Sequence, residues 1–338
     1  MQGKRAADSL GLAAVAKRAG LSTATVSNAL NRPQIVAPKT RAKVMAAIAE
    51  LQFVPNRSAS ALRNGVGRMV GLLVPDILNP FYAAIAKAVG ESARRNEYVL
   101  ALCVSGDDPE VESEHIRVLA EQRAAGAIVV PLAADDTRLN HLRLVGAHPV
   151  LVDRHWQVDD GCSVMIDDVE GGRLAVRHLL ETTDGNILVV NGSGDIPQCA
   201  DRSRGARKAL EIHGSSSSRL TEIELDEMTI EAGRVAVEAI DLDEVTGIFA
   251  TNDQLAVGCI RALEAKGKHC PGDVAVVGYG DLALASEAIT PLTTVRQPTD
   301  VLGRIAFDVL LDEIERPSGH RHQSTLLDPK LVLRDSAP

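Results

Sequence analysis

Hydrophobic positions follow two different periods along this chain. Near the start they recur every three or four residues. Leu12, Val15, Ala16 and Ala19 line one stripe of LAAVAKRA, which is the helical period. Gly20 follows, where a helix end wants a residue tolerant of positive φ. Ser22 then stands where an N-cap opens a second helix, with Val26, Ala29 and Leu30 facing inward and Pro33 beyond its end. A third helix is predicted over roughly 39–51, with Val44, Ile48 and Leu51 inward. Helix, tight turn, helix and supporting helix have helix-turn-helix spacing.

From Met69 onward short β-rich runs alternate with helical stretches. MVGLLV, YVLALCV, GAIVV and PVLVD are separated by helical segments over 81–95, 110–124 and 137–145. After Val164 the pattern restarts with NILVVN, TEIEL, GIFAT and VAVVGY, and 292–338 returns as strand, helix and strands. Such alternation predicts parallel sheets with helices on both faces. Two runs of it predict two similar lobes. The fold class expected is therefore α/β, a two-lobed body preceded by an all-α head. Between them lies FVPNRSASALRNGVGRMVG, in which Pro55 stops one element and Asn56 can cap another. Its helical stretch, 57–64, is only about two turns, too short to be stable alone. The boundaries read from this pattern are 1–55 for the head, 56–67 for a hinge helix and linker, and 68–338 for the body.

Charge sharpens the picture. Residues 1–65 carry ten Lys/Arg and two acids, a net +8, whereas the remainder carries −17. A basic head on an acidic body is the footprint of nucleic-acid binding by the head; the alternative is a solvated basic surface. Thr23, Ala24 and Asn28 point outward from the second helix, and positions 24 and 28 share a face. Asn can bond an adenine edge bidentately and Ala can touch a thymine methyl. An ordinary three-helix bundle with an unused polar face is the competing reading. Five scattered cysteines without a Cys-x-x-Cys pair argue against a disulfide framework. No stretch has signal-peptide character or approaches the roughly 18 apolar residues of a membrane span. A cytoplasmic location is expected.

VAKRAGLSTATVSNALN (15–31), VAPKTRAKVMAAIAELQFVPN (36–56) and ASALRNG (59–65) resemble the lactose-repressor/galactose-repressor family of bacterial transcription regulators. In the body, GLLVPDILNPFY (71–82), PVLVDR (149–154), RSRG (202–205), FATNDQLAVG (249–258), DVAVVGYGD (273–281) and PLTTVRQP (291–298) continue the resemblance in order. It implies a periplasmic-binding-protein-like body, a homodimer on a pseudo-palindromic operator, and a hinge helix that inserts Leu62 into the minor groove, where leucine wedges open base steps. The DNA-contacting set it implies is Ser22, Thr23, Ala24, Thr25, Ser27, Asn28, Arg32, Asn56, Arg57, Leu62 and Arg63. Asn28 and Ser60 depart from arginines frequent at those positions.

Parallel sheets bind ligands outside the carboxyl ends of their strands. The strand-end candidates are Phe81 and Tyr82, Asp153 and Arg154, Arg202, Asn252 and Asp253, Asp281 and Gln297. The resemblance points to the same positions as effector contacts. Carboxylate, amide and guanidinium groups suit a hydroxyl-rich ligand, a sugar or a nucleoside. Met228 occupies a place where a ring-stacking aromatic is frequent in the family, and Gly280 one where aspartate is. No cofactor is expected. There is no Walker A sequence or nucleophile elbow. Gly192 and Gly194 of NGSGDIP lack the third glycine of a dinucleotide fingerprint. His320 and His322 read as a surface loop, and no metal spacing is apparent. The function expected is a DNA-binding regulator, acting as a repressor under effector control, and not an enzyme; the alternative is an enzyme or transport-type solute-binding protein sharing the two-lobed body.

Overall fold

A computed structural model describes residues 11–53, 67–132, 137–154, 161–215 and 217–338. The chain divides into two units between Gly67 and Arg68. No helix among the described residues is long and apolar enough to cross a membrane.

The first unit contains α1 (Leu12–Ala19), α2 (Thr23–Asn31) and α3 (Pro38–Glu50). Gly20 adopts the left-handed conformation, φ 66° and ψ 35°, which ends α1 and lets α2 begin three residues later. Ser22 Oγ accepts from the Thr25 amide at 3.0 Å, a cap typically worth ~1 kcal/mol. Val15, Ala16, Val26, Ala29, Val44 and Ala47 form the core, with Leu30, Ile48 and Leu51 packed against it. The inward faces are those expected from the periodicity. Arg18 and Glu50 pair across α1 and α3, with Nε 2.8 Å from Oε1.

The second unit holds two six-stranded sheets. The first lobe uses β1 (Met69–Val74), β2 (Val99–Val104), β3 (Gly126–Val129), β4 (His148–Val152), β5 (Cys162–Ile166) and β11 (Ser324–Leu327) in the order β11-β5-β4-β3-β1-β2, all parallel. The second uses β6 (Asn186–Gly192), β7 (Arg219–Leu225), β8 (Gly247–Ala250), β9 (Ala275–Gly280), β10 (Thr293–Arg296) and β12 (Lys330–Val332) in the order β12-β10-β9-β8-β6-β7, parallel except for β12. Inner strands such as β1, β4, β6 and β8 read as largely apolar runs because both faces are covered. On β1, Val70, Leu72 and Val74 join one core cluster while Leu73 joins the cluster on the opposite face.

In the first lobe α4 (Pro80–Arg95) and α12 (Thr299–Glu315) share one face of the sheet; α5 (Pro109–Glu121) and α6 (Asn140–Leu144) cover the other. In the second lobe α7 (Asp168–Thr182) and α8 (Pro197–His213) lie on one face and α9 (Ile230–Glu238) and α10 (Asp253–Ala265) on the other; α11 (Ala283–Glu287) is a short turn of helix after β9. One arrangement was invisible to local periodicity. After β10 the chain goes back to the first lobe, builds α12 and β11 there, and returns as β12. Three segments, at 167, 297–298 and 328–329, therefore join the lobes. A second difference concerns His320 and His322. They do not simply face solvent: both approach the buried Cys162 thiol, and Glu313 lies with them.

Helices α7 and α8 cross at backbone contact. A Cβ at Gly172 would fall 2.0 Å from the Arg202 carbonyl oxygen, and one at Gly205 would fall 2.0 Å from that of Val169. Neither neighbour is a side chain that could swing away. Gly205→Ala should therefore force the pair apart and destabilise the body by about 1–3 kcal/mol, the usual cost of overpacking. A lowered denaturant midpoint with the head still folded would be the expected reading. An unchanged midpoint would mean that the pair can slide apart freely.

Candidate functional site

The head presents a polar face. Ser22, Thr23, Ala24 and Asn28 are exposed, Thr25 and Ser27 half-buried, and Arg32 exposed at the end of α2. Val26 and Ala29 on the opposite side are buried. The face is thus held rigid by its own core, with the Ser22 cap fixing the first turn. The hinge candidates Asn56, Arg57, Leu62 and Arg63, with Ser60, lie outside the described residues.

In the body, the carboxyl ends of the strands meet where the two lobes touch. Asp153 ends β4 in the left-handed region, φ 63°, and is buried. Gln198, in the first turn of α8, reaches across from the other lobe. Its Nε2 donates to Asp153 Oδ2 at 2.5 Å and to the Asp153 carbonyl at 2.8 Å, while its Oε1 accepts from Arg154 Nη1 at 2.7 Å. Tyr82, at the start of α4, meets Phe81 edge to face with centroids 5.3 Å apart. Burial, and then the nearby Asp153 carboxylate, raise its phenol above the ordinary range.

Arg202 lies within α8 rather than at a strand end. Its Nε donates to Asp168 Oδ1 and its Nη1 to the Thr251 carbonyl, both at 2.8 Å. The guanidinium stacks 4.0 Å from the centroid of the Tyr279 ring, and the Tyr279 hydroxyl donates to the same Asp168 oxygen at 2.6 Å. Burial alone would lower the Arg202 pKa, but Asp168 and its neighbours hold it up.

Other candidates are engaged in holding the loops. Asn252 caps α10 by accepting from the Leu255 amide at 2.6 Å, and its Nδ2 donates to the Met228 carbonyl at 2.9 Å. The Met228 side chain packs on the second lobe's core, its sulfur 3.7 Å from that of Cys199. Asp253 is wholly buried, accepting from Thr294 Oγ1 at 2.6 Å and from the Leu282 amide at 2.8 Å. Burial pushes its carboxyl up to about 6. Asp281, at φ 56°, pairs with Arg296 and Arg334, both at 2.5 Å. Both carboxylates are thus engaged by the framework of the second lobe: Asp253 is fully buried, and Asp281 serves two cations. Gln297 differs. It is buried on a segment joining the lobes, and its Nε2 has no hydrogen-bond partner among the described residues.

Residues 12–56 match the family described as bacterial regulatory proteins, lacI family, and residues 176–337 match a periplasmic binding protein-like domain. The chain is 30% identical to the HTH-type transcriptional repressor PurR of Photobacterium profundum, over 95% of this chain and 97% of that one. The chain belongs to the lacI family.

Two solved structures extend the comparison. The lac repressor dimer bound to operator and the anti-inducer ONPF superposes with a TM-score of 0.84 at 27% identity, over 97% of this chain and 98% of that one. The complex of the transcriptional regulator CelR with cellobiose gives 0.71 at 30% identity, over 96% and 99%. This lacI-family chain is accordingly a transcription regulator with a helix-turn-helix head and a two-lobed, periplasmic-binding-protein-like body.

Three residues of the lobe junction escaped the sequence reading. Gln198 follows the NGSGDIP turn that leaves β6, which is itself a strand end, so the signal was present. Asp168 and Tyr279 carried none, since an aspartate at a helix start and a tyrosine inside a strand are both ordinary.

The junction geometry can be tested at two of its charged groups. Arg202→Ala would leave Asp168 buried without its cation, and breaking such a pair costs about 3–5 kcal/mol. Denaturant melts of the body should show that loss; a stability within about 1 kcal/mol of wild type, in the same melts, would mean the pair is dispensable.

The other group is Asp153, whose carboxyl is pushed up to about 7 by burial first and then by Asp168. Unfolded, it ionises near about 3.9. From about pH 4 to pH 7 the folded chain keeps a proton that the unfolded chain has released, so this group's contribution falls as pH rises and levels off above about 7. Asp153→Asn should therefore gain on wild type between melts at about pH 5 and pH 8. An equal difference at the two pH values would place the Asp153 pKa in the ordinary range.

Proposed function

We propose that this regulator acts as a repressor: two copies bind a pseudo-palindromic operator, and a small polyhydroxylated effector seated between the lobes sets the affinity. The observation that carries the DNA half is the arrangement of α2, which turns Thr23, Ala24 and Asn28 to solvent while Val26 and Ala29 anchor it. Phosphates are met by the basic surface of the head, and base edges by the α2 face. The lac repressor dimer seen on its operator and the repressor PurR support the dimeric, repressing mode.

The effector half rests on the lobe junction. Tyr82, Asp153, Arg154 and Gln198 offer donors and acceptors from both lobes. The buried Nε2 of Gln297 is a donor awaiting an acceptor. Such a set suits neutral hydroxyls better than a strongly charged group, and the CelR complex with cellobiose supports a sugar. Nucleosides satisfy the same donors. A ligand touching both lobes favours one lobe spacing, and it changes operator affinity only by its differential affinity for the two body states.

The test is an anisotropy titration of a labelled pseudo-palindrome, with and without pentoses, hexoses, nucleosides and purines characterised by calorimetry. Log affinity should fall linearly with log salt, because phosphate contacts release counterions. Asn28→Ala should cost about 1–3 kcal/mol on the specific site and relax preference at one base pair. Gln297→Ala should weaken the effector while leaving effector-free operator binding intact. Salt-insensitive binding, or an unchanged base preference for Asn28→Ala, would remove the α2 face from the reading set. Normal effector affinity in Gln297→Ala would remove that amide from the site.

A further inference from the structure

Cys162, Glu313, His320 and His322 stand together at the opposite end of the first lobe from the strand ends just described. Cys162 is the first residue of β5, and His148 beside the cluster is the first of β4. Glu313 lies in the last turn of α12, and the two histidines lie on the loop that leads from it to β11. One ligand atom from each of the four residues lies within 4.8 Å of all the others. Cys162 Sγ is 3.1 Å from His320 Nε2 and 3.7 Å from His322 Nδ1. A tetrahedral zinc ion, with bonds of about 2.0–2.3 Å, holds its ligand atoms ~3.5 Å apart.

The groups behind these four are also those of a metal site. His320 Nδ1 is 2.7 Å from Asp312 Oδ2. That contact fixes the ring so that Nε2 faces the sulfur, the carboxylate–histidine arrangement that orients metal-bound imidazoles. The Gln323 amide donates to Cys162 Sγ at 3.3 Å, as amides do to thiolates. His148 Nδ1 lies 3.1 Å from Glu313 Oε1. Glu313 itself is only 8% exposed, and its Oε2 has no hydrogen-bond partner among the described residues. A buried carboxylate oxygen left so is costly, and a cation resolves it. A cavity of about 250 Å³ between His148, Glu313 and His322 gives an ion a way in.

We propose that this cluster binds one transition-metal ion, Zn²⁺ by preference, through Cys162 Sγ, His320 Nε2, His322 Nδ1 and Glu313 Oε2. Thiolate and imidazole select a borderline-soft ion over Mg²⁺ or Ca²⁺, which take oxygen ligands. Four protein ligands close the coordination sphere, as in structural rather than catalytic zinc sites. The thiol proton leaves to solvent on binding. The ion would fasten the start of β5, the end of α12 and the loop feeding β11. Sequence spacing alone does not show this, because the cysteine precedes the histidines by more than 150 residues.

The test uses the full chain after chelation, titrated with Co²⁺. One equivalent should produce a thiolate-to-cobalt charge-transfer band and the visible bands of a tetrahedral ion, and Zn²⁺ should abolish both. Cys162→Ser should lose the charge-transfer band, and Cys103→Ser should keep it. His322→Ala, on the loop and tolerable to the fold by circular dichroism, should weaken Zn²⁺ binding by roughly 100-fold or more. Asp312→Asn should weaken it about 10–100-fold, as outer partners of metal ligands do. Folded wild type without the band, a band surviving Cys162→Ser, or equal Zn²⁺ affinity in His322→Ala would each overturn the site.

Discussion

The carboxylate of Asp168 is buried at the point where the chain first passes from one lobe to the other. Burying a charge demands a matched partner, and Arg202 and Tyr279 together meet that demand. Arg202 supplies the cation from α8, Tyr279 a hydroxyl from β9, and the Tyr279 ring a face for the guanidinium. The Thr251 carbonyl takes a further Arg202 donor. The start of α7, the first turns of α8 and the ends of β8 and β9 are thereby fixed relative to one another. Gly171 belongs to the same constraint: a Cβ there would lie 2.2 Å from the Tyr279 hydroxyl oxygen.

That arrangement sets the electrostatics of the lobe junction. Asp153 comes from the other lobe and feels the Asp168 charge, which adds to burial in holding its proton. Gln198 tolerates either state, because an amide donates to a neutral or an ionised carboxyl. The junction is consequently polar, with the Arg154 guanidinium donating there to the Gln198 amide oxygen. The second lobe repeats its glycine device on the other face, where a Cβ at Gly258 would fall 2.1 Å from the Ile230 carbonyl and so keeps α9 and α10 at backbone contact.

Much of this was legible in the sequence. The head could be read almost residue by residue, since its helices are short, capped by Ser22 and Gly20, and closed by contacts close in sequence. The alternation of strands and helices pointed to the two sheets, and the strand-end rule picked out Tyr82, Asp153, Asp253, Asp281 and Gln297 as candidates. It does not say how each carboxylate is engaged, because a strand end can point its carboxylate into the loop framework as readily as at a ligand. Nothing local reveals it; Thr294 and Arg334, which engage Asp253 and Asp281, lie 41 and 53 residues away. The Cys162 cluster was unreadable for the same reason.

The return of α12 and β11 to the first lobe bears on how the protein is made. Leu302, Ala306, Phe307 and Leu310 are part of that lobe's core, yet they are synthesised after nearly all of the second lobe. A ribosome that has finished β5 has produced a five-stranded sheet with one face bare of a helix it requires. The head, by contrast, closes its core entirely within residues 12–53. The nascent chain thus holds the core of its head well before it holds either complete lobe, and its first sheet waits for residues 299–315 and 324–327 to complete its packing.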